Sequence, residues 1–256
     1  MTIRRLSITF VFAVFLVASV LIQASPPKGV VHVALYAGAG TSGKGPKLLE
    51  ETLHADGLFA VTPITPEEIR AGRLKDFKVL IVPGGLSQTQ GIALGEDGRE
   101  MVRQFVSGGG TYVGICAGCY LASCHYKWSL NILPVKVVDS ANWERGVTPL
   151  LLGLTAEGKD WLSRKEGEVK LIYHNGPVLA PLEEPKEKLV VLATYREEVT
   201  RKGAKEGLMV NTPALVAARY GKGWAIGISP HPEMTEGYRE MVPAAIRWTL
   251  KHCAQE

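Results

Sequence analysis

The chain has 256 residues, 46% of them hydrophobic, and a formal net charge of +4. That is enough apolar material for a sizeable core in one large domain or two small ones. The near balance of charge, with no basic run interleaved with aromatics, argues against a nucleic-acid partner.

The first residues read as an address. Arg4 and Arg5 precede an apolar run from Leu6 to about Ile22, and Gln23-Ala24-Ser25-Pro26-Pro27 follows. A charged start, an apolar middle and a small-residue exit are the parts of a secretory signal peptide, here over residues 1–24 with cleavage after Ala24. An uncleaved N-terminal anchor is the alternative, because the run approaches the length needed to span a bilayer. The expectation is a periplasmic or secreted protein that meets a membrane only through that segment, if it is retained. One domain is expected over residues 28–254. Export would place Cys116, Cys119, Cys124 and Cys253 in an oxidising space.

Val30 to Tyr36 reads as a first buried strand. It enters Gly38-Ala39-Gly40-Thr41-Ser42-Gly43-Lys44-Gly45, which matches two nucleotide-binding patterns and completes neither. A P-loop needs a Ser or Thr hydroxyl where Gly45 stands. A dinucleotide site needs an acid after the second strand, and Phe59–Ile64 ends without one. The loop is expected to lie over the carboxyl edge of a sheet and offer N–H groups to a ligand. Pro46 to about Asp56 is a helix with Leu48, Leu49 and Leu53 at helical spacing and Gly57 as its stop. Thr65 caps a further helix start at Pro66. Phe77–Val82 is a third strand, ended by Pro83-Gly84-Gly85, and Asp97–Val106 is an amphipathic helix broken by Gly108-Gly109-Gly110.

Next comes Thr111-Tyr112-Val113-Gly114-Ile115-Cys116-Ala117-Gly118-Cys119-Tyr120, an apolar strand running through Gly-x-Cys-x-Gly into a helix. Such a turn lifts a nucleophile clear of the sheet, with the flanking glycines expected to permit the strained backbone. The helix N-terminus favours a thiolate. The helix is expected to continue through Ala122 and His125, and His125 has no metal-spaced partner. Alternating strands and helices up to here predict a parallel, three-layer α/β sheet. From Leu133 the pattern becomes β-rich: 134–138, 169–173, 189–195 and 214–219, then a turn at Gly221-Lys222 into Trp224–Ile228. Just beyond that strand stands His231-Pro232-Glu233, and 238–252 closes the chain as a helix. Cys, then His, then a carboxylate is the set that a base-activated thiol nucleophile uses.

Pro83-Gly84-Gly85, Gly114-Ile115-Cys116-Ala117-Gly118 and His231-Pro232-Glu233, in that order, resemble the class I glutamine amidotransferase-like superfamily. Within it the chain is similar to the domain known from the N-terminus of some biotin-protein ligases, on Tyr36-x-Gly38-x-Gly40 and Tyr173-His174-Asn175-Gly176-Pro177. The likeness covers nearly everything after residue 28. It implies an α/β/α fold with a mainly parallel, flavodoxin-like sheet, and Cys116, His231 and Glu233 as nucleophile, base and orienter. It also implies an oxyanion hole from the N–H groups of Gly84 or Gly85 and of Ala117. Substrate-binding positions by the same resemblance are Gly38, Gly40, Tyr120, Tyr173 and Asn175. No metal and no cofactor are implied.

Glutamine-hydrolysing members usually read Cys-x-Gly-x-Gln at the elbow. Tyr120 holds the last of those positions here, and a phenol cannot reproduce the donor and acceptor set of a side-chain amide. Free glutamine is therefore not the expected substrate. No biotin-ligase catalytic domain matches either, so biotinylation is not implied. Three readings follow. The first is a cysteine-dependent amidohydrolase that forms a thioester with a small-molecule or peptide amide. The second is a non-catalytic binding module that keeps the pocket. The third is a thiol–disulfide protein using Cys116-x-x-Cys119, which leaves His-Pro-Glu without a role. Cys119 and Cys124 are expected to pack inward from the helix, and Cys116 to be free.

Overall fold

Strands whose residues are apolar at every position must be covered on both faces, as in a parallel sheet between two helical layers. The computed structural model, which describes residues 29–201 and 205–253, has such a sheet at its centre. The leader reading over residues 1–24 lies outside the described residues. β1 (Val31–Tyr36), β2 (Phe59–Ile64), β3 (Val79–Val82) and β4 (Thr111–Ile115) pair in parallel, and β3 and β4 are buried at every residue. α1 (Gly45–Asp56), α2 (Pro66–Arg70) and α3 (Ser87–Ser107) make the crossovers, and α4 (Ala117–Ala122) follows β4. Thr65 and Glu68 close a reciprocal capping box on α2, the local signal for a helix start.

The second half of the chain extends the sheet antiparallel. β5 (Val135–Val137) and β8 (Leu179–Pro181) form a separate two-stranded ribbon. β6 (Val147–Leu154), α5 (Ala156–Trp161), β7 (Glu168–His174), β9 (Val190–Tyr195), β10 (Pro213–Tyr220) and β11 (Gly223–Ile228) lead to the closing helix α6 (Met241–Cys253). The strand order is β2-β1-β3-β4-β11-β10-β9-β6-β7, parallel from β2 through β11 and antiparallel from β11 through β7. One core cluster joins α1 and α6 to one sheet face through Leu49, Leu53, Val242 and Ala245. The other joins α2, α3 and α4 to the opposite face through Ile69, Leu94, Val102 and Leu121.

Three expectations change. α3 begins at Ser87 rather than Asp97, and bends at Gly95, whose φ of 65° and ψ of 178° are not helical. Two glycines hide its first part from a periodicity reading: Gly95 is the bend itself, and a Cβ on Gly91 would lie 2.3 Å from the Trp128 carbonyl oxygen. α4 stops at Ala122, because the Ser123 hydroxyl and N–H both donate to the Tyr120 carbonyl and end the ladder. His125, at φ 81°, and Cys124 are therefore loop residues. β6 is a strand that the pattern does not announce, because Pro149 interrupts it.

The glycines around Cys116 serve close approach rather than strain. Neither Gly114 nor Gly118 has positive φ; the strained residue is Cys116 itself. A Cβ on Gly114 would come within 2.3 Å of the Gly118 carbonyl oxygen, and one on Gly118 within 2.1 Å of the Val82 carbonyl oxygen. α4 thus rests directly on the backbone of β3 and β4. Gly118→Ala should destabilise the protein by about 1–3 kcal/mol or more, the range for overpacking, measured by urea unfolding; an unchanged midpoint would refute this account of the elbow.

Candidate active site

β4 and β11 run side by side in the same direction, with Ile115 opposite Ile228, so the residues after both strands emerge at one sheet edge. Cys116 follows β4 with φ 50° and ψ −100°. Such backbone costs about 1–3 kcal/mol and persists only where its surroundings over-determine it. Here its N–H donates to the Ile228 carbonyl at 2.8 Å, and its carbonyl accepts the Tyr120 N–H at 3.0 Å. The Cys116 sulfur lies at the first turn of α4, 3.4 Å from the His174 carbonyl oxygen, to which the thiol donates.

His231 follows β11 and is tied to β7. Its N–H donates to the Ile172 carbonyl at 2.7 Å. The Thr235 hydroxyl accepts the Ile172 N–H at 3.0 Å and donates to the His231 carbonyl at 2.7 Å. A short 3₁₀ turn over Pro232–Met234 then folds Glu233 back, so that Oε1 sits 2.6 Å from His231 Nδ1. Both side chains are buried, Glu233 to 1% exposure. Glu233 also approaches the first turn of α1: a Cβ on Gly45 would lie 3.2 Å from Oε1. Gly45 thus makes room for a side chain of this site, which accounts for one glycine of the nucleotide-like loop.

Burial is the largest influence on the His231 imidazole and acts to lower its pKa. Hydrogen bonds to Cys116 and Glu233, with their charges, outweigh it and push the pKa up to about 10. Gly84 completes the packing, since a Cβ there would stand 2.9 Å from His231 Cε1 and 3.7 Å from Cys116 Cβ. Among the described residues, the N–H groups of Gly84, Gly85 and Ala117 make no hydrogen bond to a loop or turn carbonyl. Ala117, as the first residue of α4, has no acceptor within the helix. These are the donors from which an oxyanion hole could be built.

A cavity of about 660 Å³ opens above Cys116. Cys116, His231, Glu233, Gly84, Gly85, Tyr120 and Asn175 line it, as does the loop from Ser42 to Gly45. Gly38, Gly40 and Tyr173 are not among its lining residues. Gly38 faces Pro66 and the Tyr36 hydroxyl, and Gly40 packs on Leu86 and Gln90, leaving no room for a Cβ at either. Tyr173 is fully buried and donates to the Gly176 carbonyl at 2.8 Å, shaping the turn that presents His174 and Asn175. Asn175, at φ 54°, accepts the Gly146 N–H on Oδ1 at 2.8 Å. The Tyr120 hydroxyl donates to the Asn175 carbonyl at 3.3 Å.

His174, Tyr126, Trp128 and Trp143 also line the cavity and were not singled out by the sequence reading as site residues. The available signal was aromatic side chains in loop stretches on either side of β5.

Cys116, Cys119 and Cys124 are free thiols. Cys116 belongs to the core cluster on one sheet face and Cys119 to that on the other, fully buried against Gly227. Burial pushes the Cys119 thiol well up, which is poor chemistry for a redox partner. Among the described residues there is no cluster of His, Cys, Asp and Glu suited to a metal ion.

The chain has an α/β fold similar to that of a glutamine amidotransferase. A crystal structure of a glutamine amidotransferase superposes with a TM-score of 0.57 at 24% identity, covering 87% of this chain and 98% of that one. A cytoplasmic protein from Salmonella typhimurium gives 0.57 at 14% identity over 86% and 99% of the two chains. The β-galactosidase from Bacillus circulans sp. alkalophilus gives 0.54 at 15% identity over 86% of this chain, which spans 30% of that protein. Residues 31–144 match the family described as "Biotin-protein ligase, N terminal". The matched stretch includes Cys116 and ends before His231. No curated protein matches the chain.

The raised His231 pKa makes a stability prediction. Its folded value, about 10, lies above the unfolded value near 6.5. Its stabilising contribution is therefore fully present below about pH 6.5 and is lost as pH rises through about 10. The melting-temperature gap between wild type and His231→Ala should narrow across that window; a gap that widens with pH would contradict it.

Proposed function

We propose that this protein is a cysteine-dependent amidohydrolase acting outside the cytoplasm. The observation that carries the reading is Cys116 in strained backbone beside a buried His231 whose other side is held by Glu233 at 2.6 Å. In this mechanism His231 holds the proton of Cys116, and the thiolate attacks an amide carbonyl to form a carbon–sulfur bond. The N–H groups of Ala117 and of Gly84 or Gly85 stabilise the oxyanion. As the carbon–nitrogen bond breaks, His231 gives its proton to the leaving amine. Water, deprotonated by His231, then attacks the thioester, releasing the acid and regenerating Cys116. The likeness to a glutamine amidotransferase supports carbon–nitrogen bond chemistry. Tyr120 at the end of the elbow argues against free glutamine. The extracytoplasmic address rests on the leader pattern of residues 1–24.

A second reading, a binding module without turnover, is favoured by the contact between the Cys116 thiol and the His174 carbonyl, which engages the proton away from the imidazole.

The two readings differ in the alkylation rate of Cys116 against pH, followed by mass spectrometry on wild type and His231→Ala. The amidohydrolase reading expects thiolate reactivity well below the free-cysteine midpoint of about 8.5, lost in the variant. A slow thiol indifferent to His231 would refute it.

A further inference from the structure

We infer that the cavity above Cys116 is built for a substrate carrying a flat aromatic group, which stacks on a preformed aromatic rim. The inference names the substrate class of the proposed site, and so rests on that cavity being a substrate pocket.

The chain has five tryptophans. Trp161, Trp224 and Trp248 pack together at the other end of the sheet, Trp161 stacked on Trp248 with ring centroids 3.7 Å apart and Trp224 edge-on to both. The remaining two, Trp128 and Trp143, both line the Cys116 cavity together with Tyr120 and Tyr126. Tyr126 and Trp128 stack on each other at 4.4 Å and 11°. Trp143 is 43% exposed, and Leu86, another lining residue, is 57% exposed. Large apolar side chains left open at the entrance to a nucleophile's cavity have a use if a ligand covers them.

The rim is also held in place, which an incidental patch would not require. Arg145 is buried, and its guanidinium binds Asp139 at 3.0 Å, the Thr200 hydroxyl at 2.8 Å, and the carbonyls of Val199 and Lys205. These bonds fix the stretch that carries Ser140 and Trp143. The Asn175 side chain fixes Gly146 at the end of the same stretch. A rim pinned by a buried ion pair loses little conformational freedom on stacking with a ligand.

Among the lining residues Glu233 is the one carboxylate, already bonded to His231, and Lys44 is the one ammonium. No second carboxylate stands ready for an ammonium group, so a free amino-acid head is poorly matched. Offset or edge contacts between aromatic rings supply the specific term instead.

The test uses two chloroacetamides that alkylate the Cys116 sulfur with loss of chloride, one N-methyl and one N-(2-naphthylmethyl). Second-order labelling rates are measured by mass spectrometry on the intact protein and divided by the rates with free cysteine. The naphthyl reagent should label Cys116 at least about tenfold faster than the methyl reagent after that correction, saturably, consistent with the worth of one or two aromatic contacts. In Trp143→Ala and Tyr126→Ala the ratio of the two rates should fall toward 1. Because the readout is a ratio within each variant, a general change in thiol reactivity cancels. A wild-type ratio near 1, or one that neither variant lowers, overturns the inference. The catalytic reading fails separately, if His231→Ala leaves the methyl reagent's rate and pH dependence unchanged.

Discussion

The parallel pairing of β4 with β11 is the constraint from which the site follows. These strands come from distant parts of the sequence, yet their register places Ile115 opposite Ile228. The chain leaves both strands at the same edge, so Cys116 and His231 arrive as neighbours. The Cys116 N–H donates to the Ile228 carbonyl, extending the ladder into the strained residue. A one-residue slip would reverse every side chain of β11 and remove the bond that holds Cys116 in its conformation. β7 completes the frame from the antiparallel half: Ile172 fixes the His231 backbone, and the turn after β7 brings His174 and Asn175 to the cavity.

Close backbone approach is the second requirement, and it explains why glycine recurs around the site. Gly84 admits the His231 ring, Gly45 admits the Glu233 carboxylate, and Gly114 and Gly118 let α4 settle onto β4 and β3. At each position a methyl group would meet an atom already in place. The strain is concentrated at Cys116, the one residue of the elbow with positive φ. Cys116 is thus presented by a rigid frame rather than a pliable loop, and the buried His231 imidazole beside it is held by Glu233 at 2.6 Å.

Much of this was legible in the sequence, for physical reasons. β3, β4 and β11 are almost wholly apolar, with Thr111 at the start of β4 the one hydroxyl of a Ser or Thr among them, so the parallel core could be read directly. Gly-x-Cys-x-Gly and His-Pro-Glu stand immediately after such strands, which located the candidate residues. β6 was hidden by Pro149, and the first part of α3 by Gly95, which bends the helix, and by Gly91, whose reason is the Trp128 backbone, a contact that local periodicity cannot encode. Tyr173 resembled a ligand-binding residue because of its neighbours. Its hydroxyl instead shapes the turn that exposes them. Side-chain direction at the ends of strands is set by tertiary contacts, and for that reason lining residues were harder to read than elements.

Tyr120 links the elbow to the rim. In the Cys-x-Gly-x-Gln pattern an amide follows the nucleophile by four positions; here an aromatic ring stands there, buried to 8% exposure and bonded through its hydroxyl to the Asn175 carbonyl. With its hydroxyl turned to that backbone, the side chain presents carbon to the cavity. Asn175 in turn holds Gly146, and Arg145 beside it is locked to Asp139 and Thr200. The exchange of an amide for a phenol at the elbow and the aromatic character of the outer wall are therefore joined through one hydrogen-bonded path. Removing a polar group from the floor while placing apolar rings on the rim shifts recognition in one direction, from hydrogen-bonded side-chain amides toward flat, weakly hydrated groups.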